Sequence, residues 1–315
     1  LDIFSIFTLL GGLGLFLFGM NVMSDAIGRQ AGGKFKSVLE SLTSSRIKGV
    51  LLGAGVTAVI QSSGATIVMV LGFINSGIMT LENSVGVIMG ANIGTTATAW
   101  VLSLNSINGT SIFLKLLTPD SFVPILAFIG MILLVFTKNE RKKDIGRILL
   151  GFAILMYGMS AMSDSMKPLA ESEDFRNILL LFSNPILGVL MGFVMTAIIQ
   201  SSSASVGILQ AMSVTGGITF GNALPIIMGQ NIGACLVVLI SSVGSNRDAK
   251  RAAWIHLYFN IIGTILFLCL FYGANAIFNF AWTDMAVNSV EIAIIHSVFK
   301  MASTVVLLPF TKQLI

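Results

Sequence analysis

One segment of this chain is written twice. Shifted by 139 positions, residues 47–94 align with residues 186–233 without a gap, and 21 of the 48 aligned positions are identical. The middle of each copy holds Gln-Ser-Ser inside an apolar stretch, as AVIQSSGAT ending at Thr66 and as AIIQSSSAS ending at Ser205. The register also pairs Gly19-Met20 with Gly158-Met159 and Met23-Ser24-Asp25 with Met162-Ser163-Asp164. A duplication of this kind predicts two copies of one structural unit. Each unit must find a use for amides and hydroxyls that are costly in an apolar setting.

That setting is a membrane. Hydrophobic residues make up 55% of the chain and charged residues 10%, with a mean hydropathy of +0.92, whereas a soluble domain normally carries about 25% charged residues. Apolar runs recur at 3–23, 84–104, 121–137, 148–163, 221–244, 252–275 and 286–308, and most are long enough to cross about 30 Å of hydrocarbon as helices. The period-two alternation of a barrel is absent. The expected fold is an all-α polytopic membrane protein. Residues 1–315 form one transmembrane domain, with repeat 1 over about 3–137 and repeat 2 over about 148–308. The first run lacks a basic leader and a small-residue cleavage site and reads as a retained helix. Cys235 and Cys269 fall inside apolar spans, as small buried side chains do. Nothing resembles a metal cluster, a P-loop or a dinucleotide fingerprint, so no organic cofactor and no nucleic acid partner is expected.

The stretches 47–79 and 186–218 hold about 14 apolar residues before the glutamine and about 13 after the serines, which is short for two crossings. They read as re-entrant hairpins that dip to the midplane and return; two short tilted spans are the alternative. With hairpins counted as zero, three crossings precede the second half, so the second repeat is inverted. Charge points the same way. Fourteen basic residues gather on one face (Arg29, Lys34, Lys36, Arg46, Lys48, Lys138, Arg141, Lys142, Lys143, Arg147, Arg247, Lys250, Arg251 and Lys312) against Lys115, Lys167 and Arg176 on the other. The first face is therefore cytoplasmic, with the N-terminus outside and the C-terminus inside. Lys300 stays within a span. The connection 24–46 is basic, while its equivalent, 163–185, carries Asp164, Glu171, Glu173 and Asp174.

Inverted repeats with discontinuous helices meeting at the midplane are the architecture of secondary transporters. A hairpin tip ends one half-helix near Ile60 or Ile199, where free carbonyls suit a cation. It begins another near Ala65 or Ala204, where free N–H groups suit an anion. Ser62, Ser63, Ser201, Ser202 and Ser203 can cap those groups or face a substrate, and Gln61 and Gln200 do the same at longer reach. With no Arg or Lys expected at either tip, a bound anion needs a co-bound cation, and sodium suits the oxygens present. Gly90, Asn92 and Gly94, with Gly229, Asn231 and Gly233, are expected to unwind the following span, and Thr95, Thr96 and Thr98 to extend the polar lining in the first half alone. His256 and His296 read as helix-to-helix hydrogen-bond partners rather than gate residues. An intramembrane serine hydrolase built from Ser63 or Ser202 with His256 or His296 lacks a nucleophile-elbow pattern.

The paired motifs Gln61-Ser62-Ser63-Gly64 and Gln200-Ser201-Ser202-Ser203, followed by Gly90-Ala91-Asn92-Ile93-Gly94 and Gly229-Gln230-Asn231-Ile232-Gly233, resemble the type II sodium-phosphate cotransporter family, here a bacterial member. The resemblance covers nearly the whole chain. It implies symport of inorganic phosphate with sodium across the plasma membrane, with no enzymatic reaction. It implies phosphate ligands among Gln61, Ser62, Ser63, Gln200, Ser201, Ser202, Ser203, Asn92 and Asn231. Sodium ligands are implied among Gln61, Ser62, Thr66, Gln200, Ser201, Ser205, Thr95 and Thr96. A homodimer and a cytoplasmic PhoU-like helical domain beyond Ile315 are the macromolecular partners expected. Two departures stand out. Gly64 replaces a third serine, and Leu257, after His256, stands where electrogenic animal members carry Asp, so electrogenic transport does not carry over.

Overall fold

The fold, a computed structural model, describes residues 3–42, 45–106, 118–168, 182 and 184–315. The expectations placed on Lys115, Glu171, Glu173, Asp174 and Arg176 lie outside the described residues. Within them the regular structure is helical, with one isolated bridge between Thr219 and Ala286 and no strand. The first half comprises α1 (Ile3–Leu42), α2 (Arg46–Ile60), α3 (Ser63–Asn75), α4 (Leu81–Gly94), α5 (Thr96–Ser103) and α6 (Pro119–Phe136). The second comprises α7 (Glu140–Met166), α8 (Pro185–Ile199), α9 (Ser202–Ser213), α10 (Phe220–Gly233), α11 (Cys235–Ser241), α12 (Arg247–Phe278) and α13 (Ser289–Leu307).

Local signals set most helix starts. Asn139, Asn184 and Asn246 accept first-turn amides with their side chains, Pro185 occupies the first turn of α8, and Asn288 with Glu291 forms a capping box. Each satisfies donors that a helix start leaves open. Among the described residues six stretches are long and apolar enough to cross a membrane: Ile3–Gln30, Leu81–Ser103, Glu140–Met166, Phe220–Ser241, Arg247–Phe278 and Ser289–Leu314. The seventh expected run forms α6, whose apolar part, Ser121–Phe136, is shorter. α1 also continues well past residue 23, because the polar residues that follow contain no proline to stop it. Large apolar side chains cover the outside, among them Phe4, Phe128, Ile198 and Val305. A surface of this kind fits lipid rather than water.

Glycines set how closely the helices approach. α1 and α7 run antiparallel, with Gly12 packed on Gly158 and Gly19 on Gly151. In the 139-residue register Gly12 is equivalent to Gly151 and Gly19 to Gly158, so the contact is the same from both sides. α2 lies parallel to α4 and α8 parallel to α10. A Cβ added at Gly90 would sit 2.0 Å from the Val50 carbonyl oxygen, and one at Gly229 would sit 1.9 Å from that of Val189.

The span is interrupted where Gly-x-Asn-Ile-Gly leads one to expect it: α4 ends at Gly94 and α5 begins at Thr96, and α10 ends at Gly233 and α11 begins at Cys235. The interruption is slight. Thr95 (φ −60°, ψ −27°) and Ala234 (φ −60°, ψ −25°) keep right-handed helical dihedrals between α4 and α5 and between α10 and α11. Gly90, Gly94, Gly229 and Gly233 also let the backbones of the paired helices touch.

Candidate functional site

Each Gln-Ser-Ser sits where the chain doubles back. Gln61 ends α2 in the left-handed region (φ 61°, ψ 22°) and Gln200 ends α8 there (φ 58°, ψ 22°). Among the described residues, Asn279 is the remaining non-glycine with positive φ, so two glutamines in matching positions mark a conformation that the surroundings enforce. The Gln61 amide donates to the Thr57 carbonyl and the Gln200 amide to that of Thr196, each at 2.7 Å. Ser62 and Ser201 are then extended, and their hydroxyls accept from the amides of Ala65 and Ala204, each at 3.2 Å.

A second bond braces each reversal from behind. The Thr57 hydroxyl donates to that of Thr66 at 3.0 Å, and the Thr196 hydroxyl to that of Ser205 at 2.9 Å. Nine residues along a straight helix span about 13 Å, so these bonds exist only because α3 returns beside α2 and α9 beside α8. With one serine hydroxyl on the third amide of each return helix, the amides of Ser63 and Gly64, and of Ser202 and Ser203, are left to meet whatever occupies the space in front.

That space is a cavity of about 780 Å³ shared by both tips. Gln61, Ser62, Ser63 and Gly64 line it from one half; Gln200, Ser201, Ser202 and Ser203 line it from the other. Gln61 is tethered by a bond from Nε2 to the Ala58 carbonyl, and its Oε1 is buried without a partner. An oriented, unsatisfied carbonyl oxygen of this kind suits a cation or a donor on a ligand.

The other expected ligands do not line the cavity. Thr66 and Ser205 serve the braces. The Thr95 hydroxyl donates to the Ala91 carbonyl at 3.1 Å and that of Thr96 to the Ile93 carbonyl at 2.8 Å, which fixes their orientation and leaves their oxygen lone pairs able to accept. Thr98 is buried and likewise absent from the lining. Asn92 Oδ1 accepts from Lys300 Nζ at 2.6 Å, and Asn231 Oδ1 accepts from His296 Nε2 at 3.1 Å. His296 is thus a helix-to-helix partner, and His256 Nε2 lies 3.8 Å from Cys235 Sγ. Neither histidine bonds Ser63 or Ser202, so the serine–histidine pair that a hydrolase needs is not formed.

α1 supplies what the sequence reading missed. Asn21, Ser24, Asp25 and Arg29 also line the cavity, and their spacing of three and four residues places them on one helical face, a signal open to a periodicity search. Arg29 lines the same cavity away from the tip motifs themselves, where no Arg or Lys was expected. Its Nε donates to Asp144 Oδ1 at 3.1 Å, an oxygen that also accepts from Arg147 at 2.6 Å. The guanidinium was overlooked because 32 positions of chain separate it from Gln61, and only the packing of α1 brings it near.

Comparison with known proteins identifies the family. The family model described as Na+/Pi-cotransporter matches the chain twice, over residues 15–164 and 154–295. The chain is 28% identical over 298 residues to the uncharacterized protein YqeW of Bacillus subtilis, covering 94% of this chain and 92% of that protein. It is 26% identical over 261 residues to the putative inorganic phosphate export protein YjbB of Escherichia coli K12, covering 82% of this chain but 46% of that protein. Over 94 residues it is 36% identical to the human sodium-dependent phosphate transport protein 2B, covering 28% of this chain and 14% of that protein. No solved structure matches.

Proposed function

Because the chain belongs to the Na+/Pi-cotransporter family, we propose that it carries inorganic phosphate across a bacterial plasma membrane together with sodium, by alternating access around the two Gln-Ser-Ser tips. The observation that carries this reading is the convergence of both tips on one cavity. Phosphate is bound by the first-turn amides and hydroxyls of Ser63, Ser202 and Ser203, with Gln200 reaching the same space. Helix starts hold anions in this way through oriented N–H groups. Sodium is bound at the carbonyl end, where the free Oε1 of Gln61 and the last carbonyls of α2 and α8 supply oxygens of the right hardness. Asn92, Asn231, Thr66, Ser205, Thr95 and Thr96 act behind the tips.

Two inverted repeats, about 3–137 and 148–308, fit the matched contact of α1 with α7. A contact that maps onto itself between antiparallel helices corresponds to a pseudo-twofold axis across them, which is the symmetry of an inverted pair. Re-entrant hairpins fit α2, at 15 residues, and α3, at 13, since helices of about 22 and 20 Å fall short of a 30 Å core. The cavity extends from the tips toward Arg29, on the face that the basic residues mark as cytoplasmic, so the conformation reads as inward-facing. The homodimer and the C-terminal helical domain remain proposals drawn from the family.

The test is uptake of radiolabelled phosphate into proteoliposomes. A sodium gradient drives it and a potassium gradient does not; uptake indifferent to sodium sinks the reading. Arsenate competes and succinate does not, which separates phosphate from carboxylate carriage. The name of YjbB motivates a second reading, export. Efflux from phosphate-loaded vesicles that ignores an opposing sodium gradient would favour it.

A further inference from the structure

α13 carries a lysine in the middle of the protein. Lys300 is 2% exposed and sits within a stretch long and apolar enough to cross the membrane. A charge there needs ligands as good as water. Its Nζ donates to Asn92 Oδ1 at 2.6 Å and to Asn260 Oδ1 at 2.7 Å, and the face of Phe299 lies 5.8 Å away. Among the described residues no carboxylate pairs with it.

The ligands are therefore neutral oxygens, brought to one point from two other helices and held there. Asn92 Nδ2 is tied to the Ile88 carbonyl at 2.9 Å and Asn260 Nδ2 to that of His256 at 2.9 Å. Those bonds turn both Oδ1 atoms inward. Converging, pre-oriented amide oxygens are what a hard monovalent cation takes from a protein.

We propose that the ammonium of Lys300 is a tethered cation filling an amide-oxygen site between α4, α12 and α13, a site that a sodium ion would occupy if the amine were absent. Further oxygen is at hand. One turn along from Asn260 and Lys300, the hydroxyls of Thr264 and Ser303 are buried without partners, and Ser303 Oγ lies against Gly263 of the facing helix. In the second half, Asn231 occupies the position equivalent to Asn92. It receives the imidazole of His296, one turn before Lys300 on the same helix. One helix thus engages both asparagines but delivers its ammonium to the first alone. The charge sits behind the first tip: Gly94, two residues from Asn92, packs on Thr57, which braces that tip. A fixed positive charge there offsets part of the phosphate charge without an ion having to travel. This consequence rests on the sodium-coupled reading; the tethered cation itself does not.

The experiment counts sodium bound by the purified full chain, using radioactive sodium, in wild type, Lys300→Ala and Lys300→Arg. Lys300→Ala gains one sodium ion per chain over wild type and Lys300→Arg gains none. Equal counts in wild type and Lys300→Ala overturn the proposal. The wild-type count separately tests the sodium-coupled reading, because wild type at zero with Lys300→Ala at one sinks that reading and keeps the tethered cation. If Lys300→Ala does not fold, the wild-type protein with ¹⁵Nζ-labelled lysine decides. A slowly exchanging ammonium signal unchanged by added sodium supports the proposal, and a neutral amine or a signal displaced by sodium overturns it.

Discussion

The first tip and the second share a framework down to single hydrogen bonds, yet they offer a ligand different surfaces. Gln61 and Gln200 take the same left-handed conformation, Ser62 and Ser201 make the same cap, and Thr57–Thr66 matches Thr196–Ser205. One step later the likeness ends. Ser202 and Ser203 are buried at 8% and 7% exposure, while the equivalent Ser63 and Gly64 are more open. Behind the tips, Asn92 meets the Lys300 amine and Asn231 the His296 imidazole. The framework has to satisfy the same backbone twice, whereas the lining answers to a ligand that need not be symmetric.

The largest expected effects test whether the framework is as equal as it looks. Gly90→Ala and Gly229→Ala each drive a methyl group into a carbonyl at about 2 Å and should cost about 3 kcal/mol or more. The check is thermal unfolding in detergent, and a large loss in one variant with none in the other breaks the equivalence of the halves.

Next comes the inequality of the linings. Ser202→Ala should lower phosphate uptake about tenfold, near 1.4 kcal/mol of transition-state stabilisation, with Gln200→Ala at least as severe and Ser63→Ala several-fold milder. Equal losses in liposome uptake would return the tips to parity. Smaller again are the braces. Thr57→Val and Thr196→Val each remove one hydroxyl of a buried pair, and each should cost about 1 kcal/mol of stability, read as similar shifts in melting temperature. The smallest change is Gly64→Ser, which copies the second tip into the first. The nearest atom to its new Cβ is Val237 Cγ1 at 4.0 Å, so stability should move by less than about 0.5 kcal/mol. Any gain in phosphate affinity would show that a third hydroxyl is useful on that side.

Much of the helical arrangement was legible beforehand. Apolar runs and asparagine or proline starts are local signals, and the six stretches able to cross a membrane fall where hydropathy puts them. The tips were legible too, since Gln-Ser-Ser in lipid has few other uses. The glycines have two roles, of which one was legible: the helix breaks just after Gly94 and Gly233, whereas the close approach at Gly90 and Gly94 depends on α2, lying 40 residues away in sequence. Thr95 and Thr96 donate to carbonyls of their own helix, a local bond that hydropathy and spacing do not reveal.

The sequence by itself determined that this chain is helical and membrane-embedded, that it is made of two related halves, and that each half turns on a Gln-Ser-Ser. Those properties follow from composition, periodicity and repetition, all of which are written along the chain. Only the tertiary structure decided that Arg29 lines the cavity the tips share, and that Asn92 and Asn231 are held by Lys300 and His296 from a single helix. These are contacts between residues up to 208 positions apart. A buried polar group has to be satisfied by whatever packing brings within about 3 Å, and no local pattern in the sequence carries that information.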